Sequence, residues 1–114
     1  MKEIYGKIQY KDREYKVAIN LNVWQTIQEE YGTFNHWADI TTGADEPNAK
    51  AVIFGIREML NEGIDIDNEE NGTNIPFFTD KQVGRLLTEV GLTNVLKVMQ
   101  RTIVDSAQSD EKNA

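Results

Sequence analysis

Near Asn20 the spacing of apolar side chains along the chain changes. Before it, Ile4, Tyr5, Ile8, Tyr10, Tyr15, Val17 and Ile19 fall in short stretches that read as strands. After it, Val23, Trp24, Ile27 and Tyr31 recur at helical spacing, and Gly32 closes the run. Side chains alternate every two residues in a strand and about every 3.6 in a helix, so the switch marks a hairpin feeding a helix. The spacing predicts strands over 3–10 and 14–19, joined by a turn at Lys11-Asp12-Arg13. Tyr15, Val17 and Ile19 alternate with Lys16, Ala18 and Asn20, so one face of the hairpin is expected to be buried. A glycine inside the first strand, Gly6, predicts a bulge or a close backbone contact. Two strands alone are marginal in water, so the hairpin must pack on helices or pair with another chain.

A first helix is predicted over 23–31, capped by Asn20 or Asn22, and a short helical turn over 35–40 with Phe34, Trp37 and Ile40 inward. A second helix is predicted over 47–61. Pro47 suits its first turn, Ala49, Val52, Ile53, Ile56 and Leu60 form its apolar stripe, and Gly63 is the expected stop. Gly55 lies within it, which predicts close packing at that point. Residues 64–78 read as an irregular acidic loop. Thr79 and Gln82 then fit a capping box, with Phe78 and Val83 at the hydrophobic-staple positions. Val83, Leu86, Leu87 and Val90 carry that helix to Gly91, and Leu92, Val95, Leu96, Met99 and Ile103 share a face of the last one. The expected fold class is α+β, mainly helical: an N-terminal antiparallel β-hairpin packed on three to four α-helices. One compact domain is expected over 1–105, with a flexible polar tail over 106–114.

Composition narrows the functional classes. The 114 residues hold no cysteine, which excludes disulfides and thiolate metal sites and suits a reducing cytoplasm. No apolar run approaches the roughly 20 residues that span a bilayer, and the N-terminus lacks the apolar core of a signal peptide. A net charge of −7 argues against binding a nucleic-acid backbone. The charge is uneven: residues 1–20 hold five bases and three acids, whereas 62–80 hold six acids and no base.

The chain is sparse in catalytic chemistry. His36 is its only histidine, and its serines, Ser106 and Ser109, fall in the expected tail, where no rigid nucleophile–base pair can form. The segment 67–72 places Gly72 at the sixth position of a calcium-loop register, but the twelfth, which should be a bidentate Glu, is Phe78. Phosphate-cradling glycine motifs are missing. Trp24, Trp37 and Phe34 lack the basic neighbours of a base-stacking surface. The chain is therefore expected to be non-enzymatic, with no cofactor, metal, small-molecule substrate, nucleic acid or membrane as partner.

Three stretches carry a family resemblance. The first is Tyr15-Lys16-Val17-Ala18-Ile19-Asn20-Leu21-Asn22, followed by Trp24, Ile27, Glu29, Glu30, Tyr31 and Gly32. The second runs over 51–63 and ends Arg57-Glu58-Met59-Leu60-Asn61-Glu62-Gly63. The third is Phe78-Thr79-Asp80-Lys81-Gln82-Val83-Gly84-Arg85-Leu86-Leu87, followed by the last helix and a polar tail. In this layout the chain resembles the small tail assembly chaperones of long-tailed bacteriophages and prophages of Gram-positive bacteria. The resemblance implies a protein that binds the tape-measure protein and keeps it soluble while tail tube subunits polymerise around it. It implies the bacterial cytoplasm as location, absence from the mature virion, the tape-measure protein and tube subunits as partners, and self-association as a further contact. Such proteins often have a second form extended by ribosomal frameshifting, and Glu111-Lys112-Asn113 is compatible with a slippery A-AAA-AAY heptamer. The mechanism implied is reversible burial of apolar surface, with aromatic anchors dominating the energy. Phe34, Trp37, Phe54, Phe77 and Phe78 are the expected partner-binding residues, because each lies off a clear core stripe or in irregular chain. The rival expectations are an acidic DNA-mimic or adaptor-type inhibitor and a minor tail or head–tail structural subunit.

Overall fold

A computed structural model describes residues 4–113, with side chains from Tyr5 to Asp105. It shows an α+β, mainly helical fold: an N-terminal antiparallel hairpin followed by five helices. Strands β1 (Ile4–Tyr10) and β2 (Arg13–Ile19) pair with Gly6 opposite Val17 and Ile8 opposite Tyr15. The turn is Lys11-Asp12, one residue shorter than expected. Its first residue, Lys11, has φ 56°, a left-handed value that costs a residue with a Cβ about 1–2 kcal/mol.

The expected cap at the period switch is present. Asn20 is extended, and its Oδ1 accepts the Val23 N–H at 3.2 Å to start α1 (Leu21–Tyr31). Its Nδ2 also donates to Glu62 at 2.6 Å, beside a second bond from Asn22 at 2.9 Å. The strand-to-helix junction is thereby fastened to the longest helix. The short helical turn is α2 (Phe34–Ile40), capped by Thr33. That longest helix, α3 (Ala49–Asn71), starts two residues later than predicted, and its cap is Asn48, which accepts the Ala51 N–H at 3.0 Å. Then come α4 (Asp80–Val90), with the expected Thr79–Gln82 capping box, and α5 (Leu92–Asn113).

The largest correction concerns Gly63. The helix does not end there; it continues two more turns, so most of the predicted acidic loop is helical. Gly63 is a packing residue: a Cβ on it would overlap the Lys16 carbonyl of β2. The stop is Gly72, in the left-handed conformation at φ 64°, whose N–H bonds to the Asn68 carbonyl. Gly6 plays the same role toward α5, where a Cβ would overlap Thr102, and Gly55 toward α2, where it would overlap the Trp37 ring. Helices α3 and α5 thus press on opposite faces of the hairpin. Both Val17 and Ala18 are fully buried, where one buried face was expected.

The core gathers Ile8, Val17, Ile19, Val23, Ile27, Trp37, Val52, Ile56, Met59, Leu60, Val83, Leu86, Val95 and Met99. On α3 the buried stripe also takes in Ala51, Met59 and Ile64, while Ala49 is exposed and Ile53 half-buried. A helix with neighbours on several sides buries a wider stripe than one lying on a surface. The buried hydroxyls of Thr41 and Thr102 are satisfied by carbonyls one turn back, at 2.8 Å each. The side chains expected to form the flexible tail over 106–114, and residues 1–3, lie outside the described residues.

Candidate interaction surface

The five expected anchors do not share one environment. Trp37 is fully buried, and its indole N–H donates to the Ala51 carbonyl at 2.9 Å. Phe34 sits between Trp24 and Trp37, with ring centroids 4.8 and 5.3 Å away, and is also core. Phe54 is half-buried, edge-on to Tyr31 at 5.5 Å and beneath the Arg57 guanidinium. Phe78 is half-buried against Tyr15 and Tyr10, at 5.1 and 6.4 Å. Phe77, 54% exposed, is the anchor that faces solvent.

The opposite fates of Phe77 and Phe78 come from how their segment is held. Residues 72–79 run back along α3, stitched by two asparagines two helical turns apart. Asn68 Oδ1 accepts the Ile75 N–H at 2.9 Å, and its Nδ2 donates to the Ile75 carbonyl at 3.0 Å. Asn61 does the same for Phe78, at 2.8 and 3.1 Å. Each side-chain amide stands in for a neighbouring strand and satisfies both backbone groups of one residue. Held on Asn61, Phe78 sets its ring against the hairpin tyrosines, and Phe77 is left at the surface. Phe77 borders a shallow depression with Val23, Thr26, Asn61 and Asp65.

A second apolar feature was not among the expected site residues. Between the start of α3 and α4 lies an open groove of about 340 Å³, lined by Pro47, Val52, Ile53, Gly84, Leu87 and Leu92. Leu92, at its mouth, is 43% exposed. Gly84 forms part of the floor: a Cβ there would meet nothing closer than Ile53 Cδ1 at 3.9 Å. A helix-interior glycine is the sequence signal that was available. From sequence alone it cannot be told from Gly55, which is tightly packed.

The remaining candidates take structural places. His36 is exposed on α2, its backbone N–H bound by Thr33. The calcium-loop register falls on the last turn of α3, where Asp67 binds Lys16 Nζ at 2.9 Å and Glu70 lies 3.6 Å from it. The bond to Asp67 raises the Lys16 pKa above its ordinary value. Among the described residues no cluster of His, Cys, Asp or Glu could hold a metal ion, and no helix is long and apolar enough to cross a membrane. No family model, curated protein or solved structure matches this chain.

Proposed function

We propose that this chain is a tail assembly chaperone that shields an amphipathic helical segment of the tape-measure protein until the tail tube forms around it. The observation that carries the reading is the open apolar groove between α3 and α4, floored by Gly84 and edged by the exposed Leu92. A groove of this kind accepts the apolar face of a helix whose anchors recur at i, i+3, i+4 and i+7. Phe77 offers a separate apolar contact. The action needs no bond chemistry, and the net charge of −7 keeps a complex with a sticky client in solution. The DNA-mimic rival is disfavoured by the pairing of Asp67 and Glu70 with Lys16, which breaks up the densest acidic stretch.

The reading expects a long helical protein to be encoded downstream, and the test is co-expression with it. Wild-type chain is expected to move that protein into the soluble fraction. Gly84→Leu, which fills the groove from a position with room for a side chain, is expected to fold and to fail. A downstream protein that is equally soluble without this chain would end the reading.

A further inference from the structure

A second surface, on a different face, is defined by the outward edge of β1 at Lys7 and Gln9. Tyr10 and Arg13 close the two-residue turn, so Ile8 and Gly6 bond across to Tyr15 and Val17. The residues between them turn their backbone groups away from the partner strand. On β2 the outward carbonyl of Lys16 is covered by Gly63 of α3. On β1 the outward groups of Lys7 and Gln9 have no backbone hydrogen bond beyond the hairpin among the described residues. An edge of this kind is a ready template for another strand.

The edge is flanked by a cleft of about 550 Å³ between β1 and α5, lined by Gly6, Lys7, Lys97, Val98, Arg101 and Asp105. Three bases to one acid reverse the balance of a chain that holds 12 bases and 19 acids. Lys97 and Arg101 are like charges one helical turn apart, an arrangement that is unfavourable unless an anion sits between them. Neither has a carboxylate within ion-pair distance among the described residues. Lys7 has only Glu14, 3.6 Å away with both side chains more than half exposed.

We propose that this cleft binds an extended acidic segment of a partner protein, which adds to β1 as a third strand and places its carboxylates against Lys97 and Arg101 of α5. The backbone edge supplies hydrogen bonds and the two α5 bases supply selection for acidic side chains. A nucleic-acid duplex fits less well. It carries one charge per roughly 1.7 Å and would run beyond three bases onto a net-negative surface. The proposal does not depend on the groove or on the chaperone reading.

The probe is a fluorescein-labelled peptide of four Glu-Thr repeats, followed by anisotropy at low salt, with the Gln-Thr peptide as control. The acidic peptide is expected to bind at least tenfold tighter than the control, and to lose most of that advantage when salt is raised severalfold. The Lys97→Glu/Arg101→Glu variant should weaken binding by tenfold or more with an unchanged urea midpoint. Bound peptide should slow amide exchange at Lys7 and Gln9. Equal binding of the two peptides, indifference to the charge reversals, or unslowed exchange on β1 would overturn the proposal. So would displacement of the peptide by a thymidine oligonucleotide, or a salt-sensitive dimer that fills the cleft with a second copy.

Discussion

Helix α3 has a closed side and an open side, and three glycines mark the difference. On the closed side, Gly55 admits the Trp37 ring and Gly63 admits the backbone of β2. On the open side, Gly84 of α4 faces Ile53 across space that a side chain could occupy. The same residue type makes contact possible in one place and leaves a groove in the other. Packing at near-crystalline density is what holds this fold. A departure from it on one face of the central helix is therefore where binding is best sought.

Substitutions can break or sharpen this contrast. The largest effect is expected from Gly63→Val, whose side chain must displace strand backbone. It should cost about 3 kcal/mol or more, read from urea unfolding. A loss below 1 kcal/mol would mean that α3 and β2 separate easily and that the closed side is not closed. Next comes Asn61→Ala, which removes both bonds to Phe78 and should cost about 1–2 kcal/mol. Chymotrypsin should then cut at Phe77 or Phe78 faster than in the parent. Gly84→Ala should have the opposite sign. It restores helix propensity without a clash and should stabilise by about 0.5–1 kcal/mol; a destabilised Gly84→Ala would show that the groove is already filled.

The smallest effect belongs to Lys16, at the margin of the closed side. Asp67 raises its folded pKa above the ordinary 10.5. A raised folded pKa contributes stability that is complete below the unfolded value and is lost as pH climbs through the folded one. The pair is partly exposed, so the contribution should stay under about 1 kcal/mol. The stability difference between wild type and Lys16→Met should therefore hold at pH 8 and shrink above pH 10.5. A difference that persists undiminished in strong base would assign it to packing of the lysine stem.

The boundaries that could be read from sequence are those made by neighbours in the chain. Asn20 before Val23, and Thr79 before Gln82, bond within three residues, so pattern alone locates them. Gly63 could not be read this way, because its role depends on Lys16, far away in sequence, and a glycine looks the same whether it ends a helix or lets a strand approach. The same holds for the anchors. Phe77 and Phe78 are chemically identical neighbours, and what separates them is an amide on α3. Asn61 and Asn68 lie seven apart on one helix face, yet nothing local says that a later segment returns to meet them.

By itself the sequence determined the class of the fold, the hairpin-to-helix switch at Asn20 and the caps of α1 and α4, because period and capping are short-range properties of the backbone. Only the tertiary structure decided that α3 runs on to Asn71, that Ala18 is buried as fully as Val17, that Trp37 is core while Phe77 is surface, and that the Gly84 groove and the basic edge of β1 stand open. Each of those depends on which surfaces meet, and contact between distant segments is set by the packing of the whole chain.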